Sequence, residues 1–152
     1  MTIIVTGAAG FIGFHTCTAL LERGERVVGI DNLNDYYDVS LKKARISKLD
    51  MYQGFSFHHG DITDGVDIAE IERQNPKTTR LVHLAAQAGV RYSLENPHAY
   101  IQTNIVGQLN ILELARRLDA LEHLVYASSS SVYGGNIDLP FAIGDRVDTP
   151  IS

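Results

Sequence analysis

Three observations predict an α/β fold with a doubly wound parallel sheet: short β-branched runs alternate with longer stretches of helical period, a glycine-rich turn follows the first run directly, and an aspartate closes the second. The runs cover residues 3–6, 26–30, 55–58, 81–84 and 124–127, each of strand length. Between them the spacing predicts helices over 11–23, with Gly24 as the stop, and over 39–49, 66–73 and 99–118. In the last of these Ile101, Ile105, Leu109, Leu112 and Ala115 recur at helical spacing and predict one buried face. Right-handed crossovers make 3-2-1-4-5 the simplest strand order. After Tyr133 the period is broken by Gly134, Gly135, Pro140, Gly144 and Pro150, which predicts a loop.

A chain of 152 residues suits one domain, burying roughly two thirds of the surface its unfolded form exposes. With 45% hydrophobic and 20% charged residues and no repeat or low-complexity tract, the composition excludes disorder. A formal net charge of −5 gives no broad basic footprint, so no nucleic-acid partner is expected and any phosphate site must come from local backbone geometry. The single cysteine, Cys17, excludes an internal disulfide, and neither a basic leader nor a long apolar run opens the chain. The expectation is a cytoplasmic protein with no membrane segment.

The glycines are specific. Gly7-Ala8-Ala9-Gly10-Phe11-Ile12-Gly13 follows the first strand and opens the first helix, in GxxGxxG spacing. Gly7 permits a tight turn, Gly10 removes a side chain where a pyrophosphate must approach the backbone, and Gly13 allows close helix packing. Free amides at the helix start face the phosphates. Asp31 ends the second strand, where a carboxylate accepts both hydroxyls of an adenine ribose and repels a 2′-phosphate. The reading is dinucleotide binding, with NAD preferred to NADP. Lys42, Lys43 and Arg45 on the next helix would offset that preference if they folded back; a solvated face is the expectation. His58 and His59 point to opposite sides of a strand, so no metal site is expected there. His83 reads as a core histidine.

Several motifs in order, Gly7 to Gly13, Asp31-Asn32-Leu33-Asn34-Asp35-Tyr36-Tyr37, His83-Leu84-Ala85-Ala86-Gln87-Ala88-Gly89-Val90-Arg91-Tyr92-Ser93, Asn104 and Ser128-Ser129-Ser130-Ser131-Val132-Tyr133-Gly134, give a resemblance over essentially the whole chain. The chain resembles the extended short-chain dehydrogenases, the NAD-dependent epimerase/dehydratase group with a Rossmann domain, and most closely the UDP-glucuronate 4-epimerases. The resemblance implies that Asp31 and Asn32 hold the adenosine ribose and that Asp61 and Ile62 border the adenine. It implies that Leu84, Ala85, Ala86 and Gln87 line the cofactor, with Asn104 bracing that wall and Ala127 and Ser128 beside it. Asp61 has a second reading as the cap of a turn, and Arg91 as a plain surface arginine. By resemblance Ser129 is the catalytic hydroxyl, hydrogen-bonded to the sugar oxygen that loses and regains a proton, while Ser130 and Arg91 touch the substrate. Related dehydratases carry Thr-Asp-Glu at the places of Ser129, Ser130 and Ser131, so dehydration is disfavoured here.

In that family a Tyr-x-x-x-Lys pair deprotonates the sugar 4-hydroxyl while hydride passes to the nicotinamide and returns to the other face. Of the seven tyrosines here, none has lysine four residues later. The expectation is therefore an NAD-binding domain over 1–152 that stops before this pair, the sixth strand and the substrate domain. The partners expected are NAD, a UDP-sugar in the complete enzyme, and a second copy of the chain in a homo-oligomer. The alternative is a free-standing dinucleotide-binding module without catalysis.

Overall fold

A computed structural model describes residues 1–149 and 151; Pro150 and Ser152, which fall in the predicted final loop, lie outside the described residues. The strands β1 (Thr2–Thr6), β2 (Arg26–Asp31), β3 (Phe55–His59), β4 (Thr78–His83) and β5 (His123–Tyr126) form one parallel sheet in the order β3-β2-β1-β4-β5. This is the order expected as the simplest for right-handed crossovers. Each boundary lies within a few residues of its sequence expectation, and Leu84 and Ala127 fall just past the ends of β4 and β5. Both are therefore at the carboxyl edge of the sheet, where the crossovers open.

The strands β1 and β2 are buried on both sides, which is why they read as continuous apolar runs. In β1, Ile3 and Val5 face the helices α1 (Phe11–Glu22) and α2 (Val39–Leu49), packing with Cys17, Leu21, Ile46 and Leu49. Ile4 points the other way, into a cluster with Ile68 and Ile71 of α3 (Gly65–Gln74) and with Ile111 and Leu114. The alternation is the period of two of an extended strand.

The helix expected over 99–118 is longer and interrupted. A short helix that the sequence did not predict, α4 (Tyr92–Glu95), precedes α5 (Pro97–Tyr100), where the expected helix begins, and this leads into a π-helical segment, Ile101–Gly107, and then into α6 (Gln108–Arg117). The face that packs on the sheet also differs from the expectation. Ile111, Leu114 and Leu118 are buried, whereas Ile101, Ile105, Leu109 and Leu112 are 49, 58, 57 and 44% exposed. The segment carries two apolar stripes. Leu109 and Ile111 are two residues apart, roughly 200° around a helix, so only one stripe can face the sheet. Gly107 lies on the buried stripe, where a Cβ would meet the Ile62 side chain at 2.6 Å.

Candidate functional site

The β1–α1 turn is built by its glycines. Gly7 has a φ of +71°, a conformation that side chains rarely adopt, and a Cβ on it would lie 2.8 Å from the Ala85 amide nitrogen. A Cβ on Gly13 would lie 2.0 Å from the Gly7 carbonyl oxygen, so the first turn of α1 seats directly on the loop. Gly10 is the N-cap and no side chain caps the helix. The first-turn amides have no partner within the helix, and Phe11, Ile12 and Gly13 line a cleft of about 340 Å³ at the carboxyl edge of the sheet. Phe11 and Ile12 are themselves 67 and 65% exposed, which leaves their backbone as the part that suits an anion.

Asp31 closes the same cleft from β2. Its carboxylate is buried, with Oδ2 accepting from the Ala9 amide at 3.1 Å and Oδ1 from the Leu33 amide at 2.9 Å. The aspartate thus clamps its own turn to the glycine turn, and each oxygen keeps a lone pair for a ligand hydroxyl. The basic residues of α2 correct the sequence expectation. Lys43 is exposed, but Lys42 is 4% exposed, with Nζ 3.5 Å from Asp31 Oδ1 and donating to Asn34 Oδ1 at 2.7 Å. Arg45 also folds back, donating from Nη1 to the Ala9 carbonyl at 3.0 Å and to the Tyr37 hydroxyl at 3.3 Å. The signal was present in the spacing: the buried positions of α2 are Lys42, Ile46 and Leu49, one stripe at i, i+4 and i+7.

The opposite wall is the chain leaving β4. The Thr6 hydroxyl accepts from the amides of Leu84 and Ala85, both at 3.1 Å, and lies 2.6 Å from His83 Nδ1. His83 is buried, and desolvation lowers its pKa below the ordinary 6.5. A neutral imidazole with Nδ1 as acceptor lets the hydroxyl donate to it while taking both amides. Further on, Asn104 holds Gln87 from both sides, its Oδ1 accepting from the Gln87 amide at 2.8 Å and its Nδ2 donating to the Gln87 carbonyl at 2.9 Å. It sits in the π-helical segment. Asn110, which sequence reasoning missed, does the same for the neighbouring wall, donating to the Ile62 carbonyl at 2.9 Å.

Asp61 is both a turn cap and a lining residue. It accepts from the Thr63 amide at 2.8 Å and from Asn32 Nδ2 at 2.9 Å. Burial pushes its pKa up, but the hydrogen bonds from Asn32 and Thr63 outweigh burial and leave the carboxyl below its ordinary range.

The cleft thus brings together Gly7, Gly10, Phe11, Ile12, Gly13, Asp31, Asn32, Asp61, Ile62, Leu84, Ala85, Ala86, Gln87 and Ala127, and adds Asn34, Tyr36, Tyr37, Lys42 and Thr103. Asn104 stands behind it. Ser128, Ser129 and Ser130 do not line it; they are exposed beyond β5, where Ser129 Oγ lies 3.1 Å from Ser131 Oγ and caps a 3₁₀ turn, Ser130–Tyr133, by accepting from the Ser131 amide. Arg91 is likewise exposed, at the N-cap of α4.

A parallel five-stranded sheet with a glycine turn and a buried acidic residue at its switch point defines a doubly wound α/β protein of the dinucleotide-binding type. Its family follows from comparison. The family described as GDP-mannose 4,6 dehydratase matches residues 4–150, and the chain belongs to it. An uncharacterized protein of Methanocaldococcus jannaschii is 53% identical over 99% of this chain and 46% of its own length. UDP-glucuronate 4-epimerase 4 of Arabidopsis thaliana is 47% identical over 100% of this chain and 34% of its own length. Among solved structures, a mutant UDP-glucuronic acid 4-epimerase from Bacillus cereus, in complex with UDP-4-deoxy-4-fluoro-glucuronic acid and NAD, superposes with a TM-score of 0.85 at 33% identity, covering 99% of this chain and 46% of that one. A dTDP-glucose 4,6-dehydratase from Streptomyces venezuelae with NAD bound gives 0.82 at 26% identity, over 98% and 46%. The chain therefore spans between a third and a half of these relatives.

Proposed function

We propose that residues 1–152 are the NAD-binding portion of a nucleotide-sugar 4-epimerase of the UDP-glucuronate/UDP-galacturonate type. The observation that carries the reading is the cleft itself: uncapped amides of α1 face a buried carboxylate across one cavity at the carboxyl edge of the sheet. That donor and acceptor set fits the pyrophosphate and adenine ribose of NAD. The relatives named above support the sugar and the position of reaction. When bound, NAD supplies a reversible hydride acceptor. The chain's own residues bind and orient: Gly7 to Gly13 hold the phosphates, Asp31 and Asn32 the ribose, Asp61 and Ile62 the adenine, and Leu84 to Gln87 the far wall. Ser129 is assigned the hydrogen bond to the sugar oxygen, with Ser130 and Arg91 on the substrate.

In this reading the substrate-binding domain and the Tyr-x-x-x-Lys pair lie outside residues 1–152, the assembly is a homo-oligomer and the compartment is the cytoplasm. Among the described residues, no helix is long and apolar enough to cross a membrane. A module that binds the dinucleotide without catalysis is the second reading. Titration calorimetry with NAD and NADP tests what both share. The expected result is NAD binding that is at least about tenfold tighter than NADP binding and is weakened by Asp31→Ala; absence of dinucleotide binding overturns the proposal.

A further inference from the structure

The ribose end of the cleft holds more positive charge than NAD needs. Two diol hydroxyls ask for acceptors, which Asp31 supplies. Yet a lysine is sunk beside it, 4% exposed, at the price of desolvating an ammonium. Lys42 has three N–H donors. Asn34 takes one at 2.7 Å, and Asp31 Oδ1 faces the ammonium at 3.5 Å, longer than a close charge-assisted hydrogen bond. The ammonium also faces the Tyr37 ring, 4.8 Å from its centroid, and Lys42 is among the residues that line the cavity, as Asp31 is, which sets the cation at the ribose end. Arg45, the other cation that folds back, is committed elsewhere, since its Nη1 donates to the Ala9 carbonyl and the Tyr37 hydroxyl and the residue does not line the cavity.

We infer that Lys42 is a specificity-determining residue for the dinucleotide: it holds a cation in the ribose pocket where a 2′-phosphate would lie, so that exclusion of NADP rests on the single charge of Asp31. The inference builds on the dinucleotide reading above. With both residues present, the carboxylate repels the phosphate and the ammonium partly offsets that repulsion. With Asp31 replaced by a small neutral residue, the ammonium loses its fixed counter-ion and the pocket gains room for a phosphate. One substitution therefore reverses the preference, without any new cation being supplied.

The test is titration calorimetry of the purified protein and its variants with NAD and NADP, with a thermal melt of each to confirm folding. Asp31→Ser is expected to bind NADP roughly thirtyfold more tightly than the wild type does, the scale of one like-charge contact removed from a partly desolvated site. Adding Lys42→Met should abolish that gain, whereas adding Lys42→Arg should keep it. An Asp31→Ser protein that folds and gains no NADP affinity overturns the inference, as does a gain that survives Lys42→Met. If Asp31→Ser does not fold, Lys42→Met alone decides: the ratio of NAD to NADP affinity should widen by about tenfold, and an unchanged or narrower ratio shows an ion pair of structural value only. A wild type that binds neither nucleotide refutes the dinucleotide reading, and the inference with it.

Discussion

The Thr6 hydroxyl and His83 Nδ1, on adjacent strands and 77 residues apart in sequence, lie 2.6 Å from each other in the interior. The same hydroxyl takes the amides of Leu84 and Ala85. One side chain of β1 thereby fixes the direction in which the chain leaves β4, and with it the wall of the cleft. Thr6→Val keeps the shape and removes all three bonds. Leaving two backbone amides and an imidazole nitrogen short of partners should cost about 2–4 kcal/mol, and urea denaturation should show it as a lower midpoint with an unchanged slope.

The same pair predicts a pH dependence. Burial lowers the pKa of His83 in the folded protein, while the unfolded chain protonates it at the ordinary 6.5. Below 6.5 the unfolded state then binds more protons than the folded one, so stability rises with pH through that window. The contribution is fully present above 6.5 and is lost as pH falls through the folded pKa. Denaturation midpoints between pH 7.5 and 5.5 should decline on the acid side, and His83→Asn should flatten this part of the profile. An equal slope in both proteins would assign the acid sensitivity to other groups.

The strand order and the glycine turn were legible because sequence period and glycine spacing are local properties of the chain. What was not legible depends on which of two equivalent options tertiary packing selects. Ile101, Ile105, Leu109 and Leu112 form as good a stripe as Gly107, Ile111, Leu114 and Leu118. The buried stripe is the one that meets residues distant in sequence, as Gly107 meets Ile62, 45 residues away. Lys42 was hidden by its chemistry: a lysine on a helix reads as solvated unless its place in the buried stripe outweighs residue type. The bracing by Asn104 was suggested by a polar residue inside a helix, but the equivalent role of Asn110 needed coordinates, because nothing in sequence joins it to Ile62.

Asn104 should act on affinity more than on folding. Asn104→Ala leaves both polar groups of the Gln87 backbone without their side-chain partners, a loss of about 1–3 kcal/mol if they stay dry. Because Gln87 lines the cleft, NAD affinity is expected to fall by roughly tenfold. Asn104→Asp retains an acceptor for the Gln87 amide and loses the donor to the carbonyl, so calorimetry should place it between wild type and Ala. Wild-type affinity in Asn104→Ala would show that the wall does not bear on the cofactor.

The stripe of Ile101, Ile105, Leu109 and Leu112 is exposed, and so, on the edge strand β5, are Val125 and Tyr126, at 48 and 58%. Apolar patches of this kind drive association. Light scattering of the 152-residue protein should therefore report a dimer or larger species. Ile105→Glu with Leu109→Lys should shift it towards monomer without lowering the thermal midpoint, since neither residue is buried in the core. A wild type that is monomeric at high concentration contradicts the expectation.

The 152-residue chain, saturated with NAD, is expected not to interconvert UDP-glucuronate and UDP-galacturonate. Ser129 is exposed and hydrogen-bonded to Ser131, and an unassisted serine hydroxyl is a poor base near neutral pH. Tyr133 is the next phenol along the chain, four residues on, but its ring stacks on Phe141 with centroids 4.6 Å apart. Four residues further, the position of an assisting lysine holds Ile137, 89% exposed. Without a general base positioned among these residues the rate falls by about two to four powers of ten, and in the reading proposed above the surfaces that position the substrate lie outside residues 1–152. Incubation with NAD and UDP-glucuronate, followed by chromatographic separation of the 4-epimers, should show conversion no faster than the no-protein control. Turnover that survives purification and disappears in Ser129→Ala would contradict this, because it would require a base supplied from within these residues or by a second copy of the chain.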